Sequence, residues 1–144
     1  MAPSEPEPSR LLSGRERCNN ISQTSMLMVE GATVNHPVVI NPADHAEWRS
    51  DKMGKSTLFE SPRLLVGLNA FEPGQSHALH AHAGMDKLYY VVAGEGVFLL
   101  DGAELPMRSG VALVAPEGVP HGIRNTSQAR LLVLAVLAPS PSGH

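Results

Sequence analysis

Two stretches of the chain decide its fold: GQSHALHAHAGMDKLYYVVAG at residues 74–94 and GVALVAPEGVPHGIRN at residues 110–125. In both, short runs of apolar residues are separated by glycine or proline, and the same alternation extends from Ser56 to Ala138. Short strands bounded by turn residues every 8–12 positions are typical of a β-sandwich or a β-barrel. The sequence therefore predicts an all-β fold.

The apolar runs predict where the strands lie. The predicted strands cover residues 36–40, 63–71, 87–93, 97–100, 111–114 and 131–138, and one helical turn is predicted within 42–49. Gly94-Glu95-Gly96 is predicted to form a hairpin turn, so that residues 97–100 pair back onto the preceding strand. Asp101-Gly102 is predicted to form the next tight turn.

Composition limits the class of protein and its organisation. The chain has 144 residues, a net charge of −3 and no basic stripe, which argues against nucleic acid as a partner. No apolar run approaches the ~18 residues of a membrane span, and no secretory signal begins the chain, so we expect a cytoplasmic protein. We predict a flexible N-terminal tail over residues 1–25, a single domain over 26–139 and a C-terminal tail over 140–144.

Three histidines fall within six residues, at His77, His80 and His82. Side chains two apart on a strand share a face, so His80 and His82 can point at one metal ion. The alternative is two separate polar histidines on the surface. On a continuous strand His77 would face the other way, which favours a place at the rim or behind the ligands, from where it would act as a general base.

The spacing of the glycines and histidines resembles the two signature motifs of the cupin superfamily, in its small cupin_2 type. Gly74, His80, His82 and Gly94 follow the first motif. The second motif fits at every fixed position, which are Gly110, Pro116, Gly118, His121 and Asn125. The resemblance implies a double-stranded β-helix, or jelly-roll barrel, in which His121 enters opposite the strand of His80 and His82. It also implies that these three histidines hold one divalent ion of iron, manganese, nickel, copper or zinc.

The chain departs from the family pattern at the fourth metal ligand, which is usually glutamate. A spacer of three residues after His82 leads to Asp86, and a spacer of four leads to Lys87. A lysine ammonium beside a metal ion is repelled by it. Either a bulge near residues 84–86 brings Asp86 to the ion, or Lys87 faces elsewhere and the site has three histidines and water.

Several other side chains are candidates for the cavity or the core. Arg124 is predicted to be either a clamp for a substrate carboxylate or an exposed arginine at a strand end. Asn125 is predicted to hold the turn after His121 through hydrogen bonds to the backbone. The side chains predicted as plain core, with a cavity lining as the alternative, are Phe71, Tyr89, Phe98 and Met107.

The resemblance implies a protein that binds or acts on a small oxygenated metabolite. A metal-dependent enzyme of dioxygenase or of isomerase or lyase type is the first hypothesis. A non-catalytic module that binds a small molecule or metal is the alternative, because this fold hosts many activities. A homodimer is expected, and the candidates to extend the partner's sheet are the apolar residues 38–40 and the Met-rich segment 26–29 before them.

Overall fold

The computed structural model describes residues 36–141. Residues 36–40 and 41–141 fall in separate compact units. Within the described residues the only helix is a short 3-10 helix at Pro42–His45, and no helix has the length and hydropathy needed to cross a bilayer. The predicted tails and the N-terminal domain boundary lie almost wholly outside the described residues and stay predictions.

Nine strands form two antiparallel sheets. The first sheet has the order β1-β2-β9-β4-β7 and the second has the order β3-β8-β5-β6. The strand bounds are β1 Gly54–Ser61, β2 Leu64–Phe71, β3 Ser76–His80, β4 Asp86–Ala93, β5 Glu95–Leu100, β6 Ala103–Arg108, β7 Ala112–Ala115, β8 His121–Arg124 and β9 Leu131–Ala138. This is the predicted all-β double-stranded β-helix.

The core lies between the two sheets and contains side chains from both. The buried cluster includes Phe71 on β2, Tyr89 on β4 and Leu131 on β9 from the first sheet, and Phe98 on β5 and Ile123 on β8 from the second. Inward and outward residues alternate along β4, as they do in strands of a half-buried sheet. The four side chains predicted as core, Phe71, Tyr89, Phe98 and Met107, are all buried there.

Most of the strand predictions are confirmed to within two residues, but two are wrong. Residues 36–40 form no strand. Pro37 has no N–H to donate to a ladder. Gly94 is not a hairpin turn, because β5 pairs with β6 and β8 and not with β4. The chain crosses there from one sheet to the other, and a Cβ on Gly94 would collide with the backbone oxygen of Arg130.

A bulge in β3 sets the geometry of the histidines. His77 is paired with Ile123 and His80 with His121, so three steps along β3 match two steps along β8. The extra residue of a bulge shifts the alternation of faces. His77 and His80 therefore share a face, although a regular strand would place them on opposite faces.

Candidate metal centre

Three histidines converge at one end of the second sheet. His80 is the last residue of β3, His121 is the first residue of β8 and its register partner, and His82 follows two residues after β3. The ring centroids of His80 and His121 are 4.4 Å apart, and His82 lies 5.0 Å from His80 and 5.4 Å from His121. His121 thus comes from the neighbouring strand, and not from across the barrel as the resemblance implied.

Hydrogen bonds to the backbone fix the tautomers of two of these rings. Nδ1 of His80 lies 2.7 Å from the carbonyl oxygen of Ala78, and Nδ1 of His121 lies 2.9 Å from that of Val119. A carbonyl oxygen only accepts, so each Nδ1 carries the proton and each Nε2 keeps its lone pair. In metal sites, a hydrogen bond from the other ring nitrogen orients the histidine ligand in this way.

The ring nitrogens without a hydrogen-bond partner lie close to one another. Nε2 of His80, His82 and His121 is buried and has no hydrogen-bond partner among the described residues. One ligand atom from each ring lies within 4.8 Å of the others. Buried polar atoms are almost always paired, so three unpaired imidazole nitrogens in one place fit a metal ion as their missing partner. The donor set therefore fits the ion that the resemblance implies.

The surroundings keep these rings neutral, which is the state that binds a metal. Burial, followed by the charge of Lys87, lowers the pKa of His82 to about 4. Burial also lowers the pKa of His80 and of His121, against the opposing effect of their hydrogen bonds to backbone carbonyls.

His77 lies behind His80. Their ring centroids are 4.2 Å apart, and Nδ1 of His77 is buried without a partner among the described residues. His80, His82 and His121 are called the converging group from here on. His77 belongs to the cavity wall but not to the converging group. Burial and then the charge of His80 lower the pKa of His77 to about 3.

Asp86 and Lys87 lie on opposite faces of β4, and Asp86 is the one that faces away from the cavity. Asp86 is exposed, and its Oδ1 accepts a hydrogen bond of 3.0 Å from the backbone N–H of Glu117. No bulge lies at residues 84–86, since Asp86 and Lys87 pair in continuous register with Ala138 and Leu137. Asp86 therefore stands outside the converging group, and the bulge that lies near this site is in β3, between His77 and His80.

Lys87 faces inward, so the alternative in which it faces elsewhere is wrong. Its side chain is buried, lines the same cavity as His77, His80 and His82, and places Nζ 4.6 Å from the centroid of the Tyr89 ring. The cavity measures about 240 Å³. Burial, followed by the charge of Lys55, lowers the pKa of Lys87 to about 8. The alternation of Lys87, Tyr89 and Val91 along β4 was the signal in the sequence for this orientation.

Arg124 and Asn125 have structural roles. Arg124 pairs with Glu104 on the surface, at 2.7 Å, and is not part of the cavity. Asn125 is 1% exposed and donates hydrogen bonds to the carbonyl oxygens of Phe71 and Ala129. Its role in holding the turn is confirmed.

Comparisons with known proteins agree with this geometry. The cupin domain family matches residues 67–137. An oxalate-binding protein of Thermotoga maritima is 34% identical over 85 residues, which are 59% of this chain and 69% of that protein. The crystal structure of TT1209 from Thermus thermophilus is 40% identical, covers 72% of this chain and 98% of its own, and has a TM-score of 0.68. A predicted oxalate decarboxylase from Thermotoga maritima is 27% identical over 72% of this chain and 100% of its own, with a TM-score of 0.64.

Proposed function

The chain belongs to the cupin superfamily, and on that premise we propose that it is a metal-dependent enzyme acting on a small oxygenated metabolite. His80, His82 and His121 would hold one divalent transition metal ion. The single observation that carries the proposal is the convergence of three buried Nε2 atoms without partners among the described residues.

His80 and His82 line the cavity, so an ion held by the three histidines would adjoin it. A metal held by three imidazoles supplies Lewis acidity, or redox chemistry with dioxygen if the metal is iron. Dioxygenase and isomerase or lyase chemistry are therefore the two reaction types proposed. The cavity of about 240 Å³ suits a small substrate. Ligation by Asp86 is left out of the proposal, because its carboxylate is exposed and accepts a backbone hydrogen bond.

His77 is proposed to hold a proton of the substrate at Nδ1. Its low pKa means that the ring is neutral at pH 7, which is the state that can accept a proton. A pKa of about 3 also makes it a weak base at that pH, since a general base works best with a pKa near the operating pH. Orientation of a substrate hydroxyl or carboxyl by a hydrogen bond is therefore the larger part of the proposed role.

The second candidate is a non-catalytic module that binds a small molecule. The observation in its favour is that a 34% identical relative is named for binding oxalate and not for a reaction. Both candidates need the same metal centre, so turnover is what distinguishes them.

The metal centre is tested by elemental mass spectrometry of the purified protein. We expect about one equivalent of metal in the wild type, and almost none in His121→Ala. The matched control is His45→Ala, which removes a histidine outside the converging group and should keep the metal. Metal absent from the wild type, even after loading with iron, nickel or zinc, would contradict the proposal.

Turnover is tested on the metal-loaded protein. Oxygen consumption with diketones, thiols and phenolic acids reports dioxygenation, and loss of small carboxylic acids followed by NMR reports the isomerase or lyase reactions. Turnover that disappears in His121→Ala would support the enzyme. Binding without any turnover would support the module.

A homodimer and a cytoplasmic location are part of the proposal. Residues 36–40 form no strand in this chain, and the other candidate for pairing, residues 26–29, lies outside the described residues. Light scattering at moderate concentration should give twice the mass of the chain, and a monomer would contradict the dimer.

A further inference from the structure

Lys87 is a buried cation for which the described residues offer no counter-charge. The ion pairs among residues 36–141 join Arg49 to Asp51, Arg124 to Glu104 and Arg130 to Glu72, and none includes Lys87. Its one described favourable contact is the face of the Tyr89 ring. The ammonium is not sealed from the cavity, because Nζ of Lys87 is not among the fully buried polar atoms that lack a partner within the described residues. An anion in the cavity can therefore supply the counter-charge that this largely buried lysine lacks.

The charged side chains described in the cavity wall all have the same sign. Two of the three lysines of the chain, Lys55 and Lys87, line it, beside the neutral rings of His77, His80 and His82. No aspartate or glutamate is among the described residues of that wall. Asp86, the neighbouring acid on β4, is exposed and hydrogen bonded to the backbone of Glu117. A cavity lined by one sign of charge attracts ligands of the opposite sign.

We propose that Lys87 is the residue that recognises a small carboxylate anion in this cavity, with Lys55 at its rim as the second cation. This rests on the proposed function, because the same anion would face the metal ion held by the three histidines. Lys87 takes the position where the family pattern expects a carboxylate of the protein. The negative charge next to the metal is then brought by the ligand and not by the chain.

The two lysines differ in burial, in agreement with a main role for Lys87 and a secondary role for Lys55. Lys87 is buried and fixed over Tyr89, while Lys55 is exposed on β1 at the edge of the same cavity. An ammonium is a point charge with three donors, which suits one end of a carboxylate. A hydrogen bond between a charged donor and a charged acceptor in a partly desolvated site is stronger than one between neutral groups. Small mono- and dicarboxylates therefore fit, and neutral analogues of the same shape do not.

The test is isothermal titration of malonate and oxalate into zinc-loaded protein, with malonamide as the neutral analogue. Wild type should bind the two anions and ignore malonamide. Lys87→Met should keep one equivalent of zinc, which also reports that it is folded, and bind malonate roughly tenfold or more weakly. Lys55→Met should lose less, and the control Lys52→Met, an exposed lysine outside the cavity wall, should match the wild type. Lys87→Glu should keep zinc and lose malonate.

The outcomes separate this inference from the proposed function. If Lys87→Met binds malonate as well as the wild type, or if the wild type binds malonamide equally well, the role of Lys87 is overturned while the metal centre stands. If the wild type binds no metal, the proposed function fails, and the titration is read on the metal-free protein. There, weaker binding of malonate by Lys87→Met than by the wild type would still support the anion site. No binding of malonate by the wild type in either state would overturn it.

Discussion

The side chain that begins β8 and the one that directly follows it are both polar and buried, but they differ in how fully they are hydrogen bonded. His121 and Asn125 are each 1% exposed and lie four residues apart. The amide of Asn125 donates to two carbonyl oxygens and accepts from the backbone N–H of Ser127. The ring of His121 makes one hydrogen bond through Nδ1 and leaves a buried Nε2 without a partner among the described residues. A buried polar group with all its hydrogen bonds formed stabilises the fold, and one with an unpaired donor or acceptor can bind a ligand.

Asn125→Ala is the variant with the largest expected loss of stability. It removes the side-chain donor to the buried carbonyl oxygen of Phe71, and a buried acceptor left unpaired costs about 1–3 kcal/mol. It also removes one of the two donors to the carbonyl oxygen of Ala129, which keeps the hydrogen bond from Ser127 Oγ. We expect the free energy of unfolding to fall by about 3 kcal/mol in urea denaturation. The metal content of the folded fraction should stay at one equivalent, since Asn125 is not in the converging group.

Asn125→Asp is the matched control for that loss. It keeps the shape and the acceptor but has no N–H to donate, and as a carboxylate it would also bury a charge that faces two carbonyl oxygens, so its fall in stability should equal or exceed that of Asn125→Ala. A fall of less than about 1 kcal/mol in both variants would contradict the structural role of Asn125.

The converse effect is expected at His121. Metal at a hundredfold excess over its Kd should raise the free energy of unfolding of the wild type by about 2.7 kcal/mol. His121→Ala should show no such rise, while His45→Ala should show all of it. The measurement is thermal unfolding with and without zinc after treatment with a chelator. A rise of equal size in His121→Ala would remove the contrast between His121 and Asn125.

The histidine side of this contrast could be predicted in part from the sequence. The spacing of His80, His82 and His121 within the two motifs indicated a common site, and the apolar β9 was predicted with its observed bounds. The inward turn of His77 could not be predicted, because it depends on one extra residue in β3 relative to β8. The crossing at Gly94 was missed because a glycine that avoids a backbone collision and a glycine in a hairpin look the same in sequence.

The orientation of Lys87 was a different kind of failure. The alternation along β4 places Lys87 on the same face as Tyr89 and Val91, whereas the alternative of a Lys87 that faces elsewhere rested on the repulsion between its ammonium and a metal ion. The strand register decides the orientation of Lys87, and its charge is buried at the site despite the free energy of desolvation. Local rules tend to fail in this way where a site is built for binding.

Lys87→Met sharpens the comparison with a change of opposite sign. Replacing a buried charge by an apolar side chain of similar length removes a cost of desolvation, against the loss of the contact with Tyr89. We expect the metal-free protein to become more stable by about 1 kcal/mol in urea denaturation. Lys52→Met should stay within about 0.5 kcal/mol of the wild type. A loss of stability in Lys87→Met would mean that the lysine holds the fold, as Asn125 does.

Tyr89→Phe should have the smallest effect. The Tyr89 hydroxyl is buried and without a partner among the described residues, and its ring centroid lies 5.7 Å from that of His121. Removing a hydroxyl that makes no bond loses no interaction and relieves its cost of desolvation, so the free energy of unfolding of the metal-free protein should not fall, and should rise by no more than about 1 kcal/mol. The same measurement on protein loaded with zinc and malonate completes the comparison. A loss that appears only in the loaded protein would give the hydroxyl a partner in the bound ligand, and Tyr89 would then resemble His121, with a bond kept for what enters the cavity. An equal loss in both states would give it a partner within the fold, as for Asn125, and would contradict the prediction.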